Sequence, residues 1–276
     1  MGEAKRRKAR LLSQHPVCCF CGGTQAATTV DHVPNRASFP QRAGPEGYEF
    51  PACSSCQNIY RKEEHYFALV ARLSDLDDAN YDGISNRRLI KGIANNYPEL
   101  LPIVRMSPVE KRRIVKSLGL EKPSNIFSND IPIAKFPQDA DRNIRKIGIK
   151  LGLALYYKHK GKIAKPTHYC SSYWTQISTP EAIESWRAIA AELPGVVWGQ
   201  RPNMKLGNRF GYAFSSEAKG EPDIFLSISQ FGKGLAVCSM VWEGKLDAQK
   251  AFAQDAVTVR QWSRNDFPES WPFRRT

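Results

Sequence analysis

Apolar side chains recur at helical spacing after residue 59. Tyr60, Phe67, Val70 and Leu73, flanked by Tyr66 and Leu69, predict one amphipathic helix running on from residue 56. A longer stripe, Ile144, Ile147, Leu151, Ala154 and Leu155, predicts a helix over about 140–158, with Arg142, Arg145, Lys146 and Lys150 decorating its polar side. Between these two, Pro98, Pro102 and Pro108 break residues 85–122 into two or three short helices. Pro123, Pro132 and Pro137 mark 123–139 as a linker. A further helix is predicted near 180–193. The pattern then shortens to strands at 211–214, 223–230 and 234–242, the last two joined by a Gly-containing turn that predicts an antiparallel hairpin. Near the start, 28–30 has strand propensity and stops at Asp31-His32, with Pro34 just beyond.

These elements predict an α+β protein in four parts. Residues 1–17 form a basic N-terminal tail and 18–75 a small cysteine-bearing domain. Residues 76–139 are a basic helical segment with its linker, entered through the turn-rich DLDDANYDGISN, and 140–276 form an α+β domain with antiparallel strands. A chain of 276 residues is long enough for real hydrophobic cores. No run of apolar residues approaches a membrane span, and MGEAKRRKARLL has no apolar segment of a signal peptide. The expectation is a cytoplasmic protein with no membrane partner.

Charge adds a partner class. The net charge is +13, and most of the excess lies in two blocks, +4 in residues 1–17 and +12 in residues 83–165. Concentrated Lys and Arg suit a polyanion, since each neutralised phosphate releases a counterion. Lys5, Arg6, Arg7 and Lys8 are candidate phosphate contacts.

The seven cysteines change the picture most. Cys18-x-x-Cys21 and Cys53-x-x-Cys56 are two half-sites about thirty residues apart, each able to present two thiolates from a tight turn. Together they complete a four-sulfur tetrahedral shell suited to structural Zn²⁺. Cys19 is left as the spare, and Cys170 and Cys238 sit in apolar surroundings as core residues. A closed four-cysteine site does no chemistry itself, so chemistry must come from the loop between the knuckles. There the carboxylate of Asp31 is suited to a hard divalent cation, and the His32 imidazole to taking a proton from water. Gln57 and Asn58 follow the second knuckle in the first turn of the predicted helix, where they can point back at that strand.

The order knuckle, strand, Asp31-His32-x-Pro34, knuckle, helix resembles the HNH endonucleases of the zinc-stapled ββα-metal type, and Lys62 to Phe67 (KEEHYF) resembles a bacterial subgroup of them. The resemblance is confined mainly to residues 18–73. It implies a treble-clef-like zinc domain in which His32 is the general base and Asp31 a ligand of a catalytic Mg²⁺ or Mn²⁺. Asn58, or Gln57 in its place, would be the second ligand, and Arg61 or Lys62 would contact a neighbouring phosphate. The family's middle Asn would fall near Gly47, where none stands, so the group that orients His32 must come from elsewhere.

The leading expectation is a metal-dependent endonuclease acting on DNA ahead of RNA. The alternative is a zinc-stapled nucleic-acid-binding module whose catalytic site has degenerated. A protein-interaction zinc module is a third reading, separable from both by the salt dependence of DNA binding. Nothing in residues 140–276 has catalytic spacing, and that part is the candidate for homo-oligomerisation or a protein partner.

Overall fold

The computed structural model describes residues 2–75, 83–100, 107–117, 139–177, 180–199, 209–215, 224–244, 255–268 and 271. The expected acidic boundary at 76–82 and most of the 123–139 linker lie outside these residues. What is described is mixed α+β with antiparallel sheets, as expected. The N-terminal tail is not a tail in structure: α1 (Glu3–Gln14) is a helix, with Glu3 in its first turn favouring the helix dipole. A two-stranded antiparallel hairpin follows, β1 (Thr29–His32) and β2 (Glu49–Ala52). The single helix expected after the second knuckle is two helices, α2 (Ser54–Asn58) and α3 (Arg61–Ser74). Tyr60 breaks the run, with φ −119° and ψ 26°, because its ring is drawn fully inside against Trp262. Gln57 and Asn58 therefore end a short helix of their own rather than opening a long one.

Helices α4 (Gly83–Asn96) and α5 (Pro108–Ser117) agree with the proline-punctuated pattern. Next come α6 (Ala140–Lys160), β3 (Tyr169–Gln176), α7 (Pro180–Ala191), β4 (Val197–Trp198), β5 (Phe210–Ser215), β6 (Ile224–Phe231), β7 (Leu235–Trp242), β8 (Val257–Thr258) and α8 (Val259–Arg264). Six of these strands form one antiparallel sheet in the order β4-β5-β6-β7-β3-β8, and the predicted hairpin is β6–β7. All eight residues of β7 are buried, because α6 covers one face of the sheet and α7 covers the other near Ala213, Ile228 and Cys238.

Helix α6 lies close on the sheet because both surfaces carry small side chains. A Cβ added at Gly148 would come within 1.9 Å of Ser172 Oγ, and Ser239 Oγ donates to the Gly148 carbonyl at 2.7 Å. Strand β3 escaped prediction for the same reason. Its Ser171 and Ser172 are polar, yet they are buried where the helix comes closest. Helix α3 packs on the other side of α6, so α6 is enclosed from two directions. This corrects the expectation that its basic residues are solvated. Arg145, Lys146 and Lys150 are all buried and each is paired: Arg145 with Asp141 and Asp255, Lys146 with Glu63, and Lys150 with Glu64 and Asp31. Part of the basic excess in residues 83–165 is thereby neutralised internally.

One hydrophobic core runs from the first knuckle through α3 and α6 into the large sheet and α8. Phe20 meets Phe50 and Trp262, and Phe39 meets Phe210 and Phe231. At its rim Tyr48 donates to the Tyr212 hydroxyl at 2.9 Å, and Tyr212 meets His159 Nε2 at 2.9 Å. The His159 ring lies flat on Phe214, with centroids 3.8 Å apart. Burial, with Lys158 adding to it, depresses the His159 pKa to about 4. Below pH 6.5 the unfolded chain takes this proton and the folded one does not, so stability falls as pH drops from about 6.5 towards 4. Replacing His159 with Phe is expected to flatten that acid limb in urea midpoints measured between pH 7 and 4.5. The loss it removes is some fraction of the ~1.4 kcal/mol that each pK unit represents. An unchanged limb would remove His159 from the account.

Candidate functional site

Both cysteine pairs form the same local device. The Phe20 N–H points at Cys18 Sγ (3.4 Å) and the Cys56 N–H at Cys53 Sγ (3.4 Å), so each loop wraps its own first sulfur. Gly22 and Gly23, at φ 71° and 73°, supply the left-handed turn after the first pair. The four sulfurs of Cys18, Cys21, Cys53 and Cys56 lie within 4.8 Å of one another, and all four residues are buried. Tetrahedral zinc–thiolate bonds place sulfurs about 3.8 Å apart, so a small contraction closes the shell. Hydrogen bonds with the Cys18 and Cys56 thiols hold the Cys21 thiol far below its usual range, and the same bonds push the Cys18 and Cys56 thiols up, so the negative charge of the metal-free cluster sits on Cys21. Four buried cysteines that converge in this way are consistent with a structural zinc. Cys19 stays outside the cluster, buried beside it with its N–H on the Pro51 carbonyl (3.0 Å).

The β1–β2 hairpin bridges the two knuckles, and its pleat decides what faces what. Successive side chains on a strand point to opposite faces. Asp31, opposite Phe50, turns inward and is 7% exposed; His32, opposite Glu49, turns outward with its side chain 36% exposed. The inward carboxylate meets α6: Lys150 Nζ lies 2.6 Å from Asp31 Oδ2 and 2.5 Å from Glu64 Oε1. Glu64 also accepts from Asn35 Nδ2 at 2.9 Å, and Asn35 Oδ1 accepts from the Ala37 N–H at 2.8 Å. Burial opposes the Lys150 ammonium, but the two carboxylates outweigh it and hold its pKa above the ordinary lysine value. Burial pushes the Glu64 carboxyl up, with Lys150 pulling against it. A single ammonium thus ties β1, α3 and α6 together.

The outward side is different in kind. Burial lowers the His32 pKa below its usual 6.5; Arg36 and Arg7 push the same way, and Glu49 and Asp31 oppose them. The imidazole is therefore neutral at neutral pH and half open to solvent. Glu49 Oε1 lies 3.9 Å from His32 Nδ1 and accepts a hydrogen bond from Arg7 Nη2 of α1.

Comparison with protein-family models, with curated proteins and with solved structures returned no match. The residues have to be judged on their own placement.

Against the sequence expectations, that placement is mixed. The two knuckles converge, and His32 is presented to solvent. Asp31 and Asn58 each have partners of their own. Asp31 faces Lys150, while Asn58 is exposed, donates to the Ser54 carbonyl (2.8 Å) and accepts from Arg61 Nη2 (2.7 Å). Gln57 Nε2 donates to the Val30 carbonyl at 3.1 Å, which pins α2 to β1. Lys62 pairs with Glu99 at 2.7 Å, and His65 packs against Tyr97. Of the candidate phosphate contacts on α1, Lys5, Arg6 and Lys8 are exposed, and Arg7 reaches the hairpin. Sequence reasoning missed Glu49, Glu64, Asn35 and Lys150. Glu49 had a signal: it stands two residues past the position where the orienting Asn was sought. Lys150 had another, lying three residues after Ile147 and four before Ala154 and so at the edge of the apolar arc of its helix.

Proposed function

We propose that the chain is an endonuclease of the zinc-stapled ββα-metal type, with a treble-clef-like zinc domain, that hydrolyses phosphodiester bonds in DNA. The observation that supports it is His32: a neutral imidazole held outward at the end of a hairpin that joins two converging cysteine pairs, flanked by Arg7 and Arg36. Hydrolysis needs a base for water and positive charge near the phosphate. His32 would accept the proton from the attacking water. The α1 cations and Arg36 would hold neighbouring phosphates, and Arg61 would do so from the start of α3.

The Mg²⁺ or Mn²⁺ expected on Asp31 and Asn58 does not fit these side chains as they stand. The Asp31 carboxylate is enclosed and held by Lys150, and the Asn58 oxygen is held by Arg61. No step is therefore assigned to that ion. The same observation favours a second reading, a zinc-stapled nucleic-acid-binding module in which Lys150 has closed the cation position.

Incubation with supercoiled plasmid, with Mg²⁺, with Mn²⁺ and with no added cation, separates the two. The nuclease reading expects nicked plasmid in at least one condition. Intact plasmid in all three, together with binding that weakens steeply with salt, would establish the second reading instead.

A further inference from the structure

The Glu49 carboxylate is shared. The oxygen that accepts from Arg7 is also the one nearest His32 Nδ1, at 3.9 Å, too long for a hydrogen bond and within reach of a small side-chain rotation. Arg7 comes from α1, outside the hairpin, and its side chain is 70% exposed, whereas that of Glu49 is 18% exposed. An ion pair so open to water is weak, and a phosphate is a bidentate competitor for the guanidinium. The remaining charged neighbours of His32 do not duplicate this role. Arg36 donates to the Arg42 carbonyl, and Asp31 faces Lys150 on the other side of the strand.

We propose that Glu49 is the positioning residue of His32, and that Arg7 is a latch that holds Glu49 away until nucleic-acid phosphate draws Arg7 off. Freed, the Glu49 carboxylate accepts from His32 Nδ1–H. That fixes the tautomer with Nε2 unprotonated and facing solvent, ready to take a proton from water. The basic helix α1 then does more than add affinity: it couples arrival of the polyanion to orientation of the base. The inference rests on the reading of His32 as a general base.

The test uses the full zinc-loaded chain and reads the His32 tautomer by long-range ¹H–¹⁵N NMR at pH 8, with no divalent cation added. Arg7→Gln is expected to shift His32 towards the Nδ1–H tautomer, as is a short DNA duplex added to the wild type. Glu49→Gln and the Arg7→Gln/Glu49→Gln pair are expected to show no such shift. In cleavage assays Glu49→Gln should lower kcat about 10–100-fold with little change in KM, whereas Arg7→Gln should raise KM and spare kcat. A tautomer that is the same in the wild type, in Arg7→Gln and with DNA bound overturns the latch. Absence of cleavage by the wild type would instead overturn the nuclease reading, and the NMR result would still stand.

Discussion

Zinc-loaded protein carrying Cys56→Ser is expected to lose its metal and the fold of its first sixty or so residues together. Cys56 closes the second knuckle, is 1% exposed, and donates its N–H to Cys53 Sγ. A structural zinc contributes on the order of 10 kcal/mol in small domains, as much as the whole stability of many proteins. The segment's own secondary structure gives it little support without the metal. Its two strands have four residues each, and a lone two-stranded hairpin is marginal in water. The damage should spread, because Phe20 and Tyr60 pack on Trp262 of α8 within a shared core. Metal analysis should fall from one zinc per chain towards none, with tryptophan emission shifted red and the urea transition broadened or lost. Wild-type zinc content with an unchanged urea midpoint would show that the cysteines do not staple the fold.

Lys150→Met should be the most damaging change away from the cysteines, at about 3–5 kcal/mol, the usual cost of removing one partner of a buried ion pair. The ammonium is 1% exposed and serves both Asp31 and Glu64, so its loss leaves two carboxylates facing one another without a cation. The pH dependence has a defined sign. With Lys150 gone, burial is opposed by no ammonium and raises the Glu64 carboxyl above its unfolded value. The folded variant then binds protons that the unfolded chain has released, and the variant recovers stability as pH falls and loses it as pH rises. Urea unfolding at pH 5.5 and pH 8 should therefore show a larger deficit at pH 8. Adding Glu64→Gln should restore part of the loss, because the two sites are in contact and couple. A deficit below about 1 kcal/mol with no pH dependence would mean that the triad is wetter or looser than its distances indicate.

The legible parts of this molecule were those governed by local rules. The C-x-x-C pairs announced their own turns, and the apolar period placed α6 to within two residues of its end. The alternating apolar runs around the Gly232–Gly234 turn marked β6 and β7. What stayed hidden depended on burial from a second direction. Lysines on an amphipathic helix ordinarily face water; here α3 brings acids to Lys146 and Lys150, Arg145 packs over Tyr173 of β3 and pairs with Asp255, and all three basic residues become interior. The serines of β3 carry no apolar signal, because their role, making room for a helix, belongs to the packing. The candidate site divided in the same way. Strand alternation settles that Asp31 and His32 part company, and that their partners are Lys150 and Glu49. Glu49 stands two residues beyond the place where the resemblance sought an amide, and Lys150 lies more than a hundred residues along the chain, so a search for the expected side chain finds neither.

The most direct measurement compares plasmid nicking by the wild type and by His32→Ala, after metal analysis has shown equal zinc in the two preparations. His32 is half exposed and outside the zinc shell, so the substitution should leave the fold intact. The account predicts that nicking by the wild type falls at least 100-fold in His32→Ala, the lower end of what a general base contributes. Equal nicking by the two proteins would contradict it and move the chemistry away from His32.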